Sequence, residues 1–195
     1  MTRVTQRTAM DEQPDEATTA ALRARRGEAA AATAFVRLTQ ADVWRLCRNL
    51  GSPASADDLT QETYARAFAS LHRFVGRSSA RTWLLAIARR VCADAVRAAV
   101  RERAAAADAA TRADPADTGR ASNDPAESVA LRAMLDRLDH DRREAFVLTQ
   151  LVGLSYAEAA DVCGCPVGTV RSRVARARAD LVDAFGGRRQ RSASN

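Results

Sequence analysis

Residues 154–178, LSYAEAADVCGCPVGTVRSRVARAR, decide the fold of the second half of this chain. Ser155 and Glu158 have the spacing of a capping box, which starts a short helix at a defined residue. Gly164 is the kind of residue that ends such a helix, and Pro166 suits the first turn of the next one. The stretch therefore predicts two helices joined by a tight turn.

The second predicted helix has an apolar face and an arginine-rich face. Its apolar residues recur at helical spacing, which predicts a core-facing stripe. They are Val167, Val170, Val174, Ala177 and Leu181. The other face and its flanks suit the DNA major groove, where arginines reach base edges and phosphates. The residues there are Gly168, Thr169, Arg171, Ser172, Arg173, Ala175, Arg176 and Arg178.

A solvated charged face is the alternative explanation of these arginines. The capping box, the glycine and the proline all fall where a helix-turn-helix requires them, and no acidic residue follows Arg171 before Asp180. The pattern therefore favours a DNA-binding helix-turn-helix over a small solvated hairpin.

Composition agrees with an all-α protein that has a nucleic-acid partner. Aromatic residues are 5% of the chain, the net charge is +6 and the pI is about 10.0. The four cysteines, Cys47, Cys92, Cys163 and Cys165, lack zinc-finger spacing, so we expect no metal site and no cofactor. Neither a signal peptide nor a membrane-spanning apolar run is evident, and we expect a cytoplasmic protein.

Changes in composition divide the chain into two small helical domains joined by a flexible linker. The linker is rich in Ala, Asp, Thr and Ser and has no apolar periodicity. The predicted divisions are a disordered tail at 1–16, a first domain at 17–103, the linker at 104–125, a second domain at 126–185 and a basic tail at 186–195. Within the first domain we expect helices at 17–26, 28–50, 55–71 and 81–103, and we expect the second domain to end at Gly186-Gly187.

Two helices of the first domain carry further patterns. Ser55 and Asp58 have capping-box spacing at the start of the helix that contains DDLTQETYARAF, residues 57–68. The last helix begins with RTWLLAIARRVCAD, and in it Trp83 is expected to pack in the core rather than stack on a base. Each segment by itself is an ordinary amphipathic helix.

In this order, before a helix-turn-helix, the segments resemble the extracytoplasmic-function sigma factors of bacterial RNA polymerase. DDLTQETYARAF resembles region 2.2, FVGRSSARTWLLAIARRVCADAVR resembles regions 2.3 and 2.4, and residues 135–181 resemble region 4. Within the family the actinobacterial sigma-C-like group is the most similar. One departure is Asp139, where many relatives have proline; aspartate can also cap a helix, so we expect the fold to survive.

The resemblance implies two DNA-reading surfaces and one polymerase-binding surface. Region 2.2 of the family docks on the β′ clamp helices, which implies contacts from Asp58, Gln61, Glu62 and Arg66. The −10 element is implied to contact Gly76, Arg77, Ser78, Ser79, Arg81, Arg89 and Arg90. The −35 element is implied to lie along the second helix of the helix-turn-helix, with Ala175 contacting only a thymine methyl. The β flap of the polymerase and an anti-sigma factor are further expected partners.

Three classes of function compete at this stage. A sigma factor accounts for both the acidic DDLTQE face and the arginine-rich helix. An autonomous helix-turn-helix repressor or activator accounts only for the latter. No Ser-His-Asp set, phosphate loop or metal cluster supports an enzyme. We further expect the two tethered domains of the free protein to pack together, covering part of the acidic or arginine-bearing faces.

Overall fold

The computed structural model describes residues 15–51, 55–110 and 126–192, and all regular structure in these ranges is helical, which confirms the all-α prediction. The helices are α1 (Glu16–Ala24), α2 (Ala29–Leu50), α3 (Ala56–Ser70), α4 (Ala80–Ala110), α5 (Ala126–Leu135), α6 (His140–Phe146), α7 (Tyr156–Cys163) and α8 (Val167–Ser192). A 3-10 turn, Leu71–Arg73, follows α3, and a π-helical turn, Val147–Leu151, follows α6.

The first domain, α1–α4, is built around α2, which packs against the other three helices. Phe35, Val43 and Leu46 of α2 are fully buried, as are Leu84 and Leu85 of α4. The α2 residues recur at helical spacing, as do Ala80, Leu84, Ala88 and Val91 of α4, so each helix has one continuous core-facing stripe.

The helix-turn-helix forms as predicted. Glu158 N–H donates to Ser155 Oγ at 3.2 Å, and Ser155 N–H donates to a Glu158 carboxylate oxygen at 2.8 Å. Gly164 ends α7 in the left-handed conformation, with φ of +66°, which a residue with a Cβ rarely adopts. The two caps fix the ends of α7 and hence the direction in which α8 leaves the turn.

The apolar stripe of α8 is confirmed with one exception. Val170, Val174 and Ala177 are buried and Leu181 packs against the core, but Val167 is 40% exposed. Val167 lies in the first turn, beyond the edge of the surface that α6 and α7 offer to α8. Farther upstream, Asp139 caps α6 by accepting a hydrogen bond from Asp141 N–H, so aspartate does replace proline there.

Two predicted helix ends are wrong. Helix α4 continues to Ala110 because the alanine-rich residues after Arg103 are strong helix formers, and an exposed helix needs no apolar periodicity. Helix α8 passes through Gly186-Gly187 to Ser192, since a glycine inside a helix costs only about 1 kcal/mol. At the other end, α1 begins at Glu16, with Asp15 as its cap. The rest of the predicted tails and linker, residues 1–14, 111–125 and 193–195, lies outside the described residues.

The predicted capping box at the start of α3 is also absent. Ser55 has φ of −113° and ψ of 9°, not the extended backbone typical of a helix cap, and its side chain makes no capping hydrogen bond. Helix α3 starts at the next residue regardless, because Ala56 and Leu59 bury their side chains in the first domain.

The two domains pack against each other, as expected for the free chain. Helix α4 contacts α7, and α2 contacts the π-helical turn. Buried apolar side chains of both domains form one continuous cluster rather than two separate cores. We call this arrangement the closed form. None of the helices in the described ranges is long and apolar enough to cross a membrane.

Thr18 tests how α1 holds α4 in place. The buried Thr18 hydroxyl accepts a hydrogen bond from Ala80 N–H at 2.7 Å, in the first turn of α4. Thr18→Ala leaves this buried N–H unpaired, so we expect the free energy of unfolding to fall by about 1–3 kcal/mol. The exposed Thr33→Ala should change it by less than about 0.5 kcal/mol. Urea denaturation of both variants checks this, and equal stability would contradict it.

Candidate functional site

The arginine-rich face of α8 is open to solvent in the closed form. Four of the residues predicted to read the −35 element are exposed: Arg171, Ser172, Ala175 and Arg176. Gly168, also exposed, has no atom near the position that a Cβ would occupy. This end of α8 thus offers close access to its backbone, as a helix that enters a groove requires.

Two other arginines of α8 are engaged within the second domain. Arg173 forms an ion pair with Asp141 of α6 and is only partly exposed. Arg178 donates to the Gln150 side chain at 2.7 Å. Both residues fasten α8 to the helix that supports it, a role that sequence analysis did not give them.

The loop before α4 is anchored at both ends and exposed at its tip. Arg25 donates to the Phe74 carbonyl at 2.9 Å, and the buried Phe74 ring stacks on Trp83 with a centroid distance of 4.9 Å. Trp83 therefore packs in the core, as predicted. Gly76, with φ of +76°, turns the chain outwards.

The predicted −10 loop residues thus separate into two groups. Gly76, Arg77 and Ser78 are exposed at the tip. Ser79 instead starts α4, because its hydroxyl accepts a hydrogen bond from Thr82 N–H at 3.1 Å. The tip is therefore open to solvent, whereas Ser79 holds the helix that positions the tip.

Arginines of α4 divide between the domain interface and solvent. Arg81 donates to Asp42 of α2 at 2.6 Å and to the Val152 carbonyl of the second domain at 2.7 Å. Arg89 is paired with Glu144 of α6. Arg90 is exposed. Hence two of the three α4 arginines predicted to contact −10 DNA are bound to the other domain in the closed form.

The Arg89–Glu144 ion pair is the most buried polar contact between the domains. Glu144 is 1% exposed, and in the described part of the chain its Oε2 atom has no hydrogen-bond partner. Burial by itself lowers the pKa of Arg89, but the hydrogen bond and the charge of Glu144 outweigh it and raise that pKa above its ordinary value. The arginine therefore stays charged, and its charge compensates a carboxylate that is out of water.

A second polar contact closes the far end of the interface. Arg132 of α5 donates to the carbonyls of Arg48 and Gly51 at 2.5 and 2.8 Å, and Arg143 of α6 donates to the Asn49 carbonyl. These carbonyls lie at the C-terminal end of α2, where a helix lacks internal donors and carries partial negative charge. The second domain thus caps a helix of the first.

The face of α3 predicted to bind polymerase remains accessible. Asp58, Gln61 and Glu62 are exposed. Arg66 is exposed as well, not on the buried side with Leu59, and it pairs with Glu62 at 2.7 Å and with Asp94 of α4 at 2.8 Å. It links α3 to α4 and neutralises part of the acidic face.

The four cysteines lie at buried or partly buried positions. Cys47 and Cys92 are buried, and all four thiols are free. Burial, with a smaller contribution from the charge of Glu144, raises the pKa of Cys163 to about 12. Its thiol is therefore protonated near neutral pH and is a weak nucleophile. Within the described ranges, no His, Cys, Asp and Glu residues are grouped to hold a metal ion.

Sequence reasoning missed the residues that join the domains. Glu144, Arg132 and Arg143 look like ordinary polar residues of amphipathic helices. Their partners are distant in sequence, so no local spacing marks them. The sequence offers one weak indication: two tethered domains that are expected to pack together must have polar groups that face each other at their interface.

Comparisons with known protein families agree with the division of the chain into two domains. Residues 35–102 match the model described as Sigma-70 region 2, and residues 128–181 match Sigma-70, region 4. The chain therefore belongs to the sigma-70 family. It is a sigma factor of RNA polymerase, a transcription initiation factor and not an enzyme.

Individual relatives place it in the extracytoplasmic-function group. The chain is 54% identical over 169 residues to the ECF RNA polymerase sigma factor SigC of Mycobacterium tuberculosis, covering 86% of this chain and 91% of the relative. It is 39% identical over 131 residues to EcfG of Rhodopseudomonas palustris, covering 67% and 71%. The predicted likeness to the sigma-C-like group is confirmed.

Solved structures of similar chains include two complexes. One is CnrH with the cytosolic domain of CnrY, with a TM-score of 0.72, 28% identity, and coverage of 89% of this chain and 99% of that one. The other is the sigma factor RpoE with the anti-sigma factor NepR from Bartonella quintana, with a TM-score of 0.61, 28% identity, and coverage of 77% and 94%.

Removing Arg89 tests whether its ion pair holds the domains together. Arg89→Ala leaves the Glu144 carboxylate buried without a partner, which costs about 3 kcal/mol. Opening the interface rehydrates the carboxylate, so we expect a larger radius of gyration in small-angle X-ray scattering. The exposed neighbour Arg90→Ala serves as the control and should scatter like the wild type. An unchanged radius of gyration in Arg89→Ala would show that the Arg89–Glu144 ion pair does not hold the domains together.

Proposed function

We propose that this sigma factor binds core RNA polymerase in the cytoplasm and directs it to promoters, reading the −10 element with the first domain and the −35 element with the second. The observation that carries the proposal is the pair of exposed surfaces of opposite charge: the arginine-rich face of α8 and the acidic face of α3. DNA phosphates attract the first and repel the second, so the second suits a protein partner.

Reading of the −35 element is assigned to the open face of α8. Arg171 and Arg176 have the length and donor geometry to reach guanine edges, and Ser172 and Ala175 are short enough to let the helix approach. Arg173 and Arg178, which we expected on phosphates, are already engaged with Asp141 and Gln150. Phosphate contact by either residue therefore requires it to leave that partner.

Reading of the −10 element is assigned to the loop tip and to α4. Gly76, Arg77 and Ser78 would surround an unstacked base, with Arg77 supplying a cation for its phosphate. Arg90 is exposed and in place for the DNA backbone. Arg81 and Arg89 contribute only after the second domain has moved away.

The proposed promoter contacts require the closed form to open. The two elements lie about 25 base pairs apart, which is about 85 Å along B-DNA. A compact fold of this length is only about 40 Å across. Fifteen residues separate α4 from α5, and a chain of that length spans at most about 50 Å, so the connection permits a large separation. Polymerase binding would stabilise the open form.

An anti-sigma factor is a further proposed partner. Its support is the likeness to CnrH and RpoE, whose structures were solved with CnrY and with the anti-sigma factor NepR. We also propose that polymerase contacts extend to the β flap through the second domain, as the family resemblance implies.

Run-off transcription with core polymerase tests the proposed function. On templates with randomised upstream sequence, the chain should give discrete start sites that core enzyme alone does not.

Asp58→Arg combined with Glu62→Arg should abolish binding to core enzyme while the domain stays folded, since exposed charge reversals change stability little. DNA binding without any polymerase dependence would instead favour an autonomous repressor or activator. Normal core binding by the folded double variant would exclude this face.

Substitutions on α8 test the −35 assignment. Arg171→Ala and Arg176→Ala should each cost about 1–3 kcal/mol of binding and relax the base preference at individual positions. Arg178→Ala should weaken all sequences alike. Competition binding against single-base variants, at one fixed salt concentration, measures both effects. Equal, sequence-independent losses in all three variants would refute the assigned face.

A further inference from the structure

A groove between α2 and α3 lies beside the acidic face, and most of its lining residues are not among those assigned to polymerase binding. It has a volume of about 630 Å³ and is lined by Gln40, Ala41, Trp44, Arg45, Asp57, Thr60 and Gln61. Gln61 also belongs to the predicted polymerase-binding set, so the groove and the acidic face form one continuous surface.

Trp44 is the aromatic residue of this groove, and it is held in place. Its indole N–H donates to Asp57 of α3 at 2.9 Å, and the Arg48 guanidinium lies 5.1 Å from the ring centroid. The ring is nevertheless 38% exposed. An exposed tryptophan that is already fixed loses little conformational freedom on binding, and this is a property of residues that dominate interface energetics.

The chemistry of the groove selects the kind of partner. The Asp57 carboxylate lines its α3 side and the exposed Asp58 is the next residue of α3, so a DNA backbone is repelled. Arg45, on the α2 side, is paired with Asp42 at 3.2 Å. The apolar part of the groove is the Trp44 ring with Ala41, beside a carboxylate, which suits an amphipathic helix that carries an apolar anchor and flanking basic side chains.

We propose that Trp44 is the apolar anchor of the polymerase-binding surface, onto which a helix of core RNA polymerase packs its own apolar side chain. This inference rests on the proposed function, since it assumes polymerase binding through α3. In the proposed complex, the charges of Asp58 and Glu62 orient the partner helix, and contact with the Trp44 ring supplies most of the affinity. Asp57 acts by positioning the ring.

Binding of the full chain to core polymerase tests the proposal. Trp44→Ala should weaken this binding at least tenfold, as expected for a central aromatic anchor. Ala41→Trp, which fills the groove and leaves Trp44 in place, should weaken it to a similar extent. Val100→Ala removes an apolar side chain that is 58% exposed on α4 and serves as the matched control, with wild-type affinity expected. Circular dichroism melting establishes that each variant is folded.

The possible outcomes separate this proposal from the function on which it rests. Wild-type affinity in both Trp44→Ala and Ala41→Trp overturns the anchor, even if the Asp58→Arg, Glu62→Arg variant fails to bind. Absence of core binding by the wild-type chain refutes the proposed function itself. Binding of −35 DNA should be the same in all four proteins. Weakened DNA binding in the groove variants would mean a general structural effect and would also overturn the proposal.

Discussion

A carboxylate buried between two domains is the constraint on which the closed form depends. Glu144 is 1% exposed and pairs with Arg89 of the other domain, while its second oxygen has no hydrogen-bond partner in the described part of the chain. Removing a charge from water costs several kcal/mol, and one ion pair with an unsatisfied oxygen offsets this incompletely. Apolar packing of α4 on α7 must supply the rest. The interface is therefore stable as a whole, but the favourable and unfavourable contributions to its stability are similar in size.

The other contacts across the interface have the same character. Arg81, Arg132 and Arg143 all donate to backbone carbonyls of the opposite domain, and water can replace each of them when the domains separate. A wholly apolar interface of equal size would expose only apolar surface on opening, whereas this one also exposes arginines and a carboxylate. Such a surface remains compatible with a chain that alternates between closed and open forms.

Closure and promoter reading draw on the same side chains. Arg81 and Arg89, assigned to −10 DNA, hold the second domain in the closed form, so the two states compete for them. The open face of α8 and the groove beside Trp44 are not part of this competition, since both face solvent. The expectation that closure covers arginine-bearing faces thus holds for α4 but not for the recognition face of α8. We infer that polymerase meets the closed chain through α2 and α3, and that opening follows.

The features that the sequence determined by itself are those that depend on interactions between residues close in the chain. The capping box at Ser155, the left-handed Gly164 and the helix start after Pro166 act over a few residues, so their spacing suffices to predict the helix-turn-helix. The exposed faces of α3 and α8 follow from helical periodicity in the same way. Even so, helix propensity outweighed the lack of apolar periodicity after Arg103 and after Gly186, where both helices continue. Only the tertiary structure decided which arginines are engaged and with which partners. Arg173 and Asp141 are far apart in sequence, as are Arg89 and Glu144, and the packing of helices that brings them together depends on many weak contacts at once.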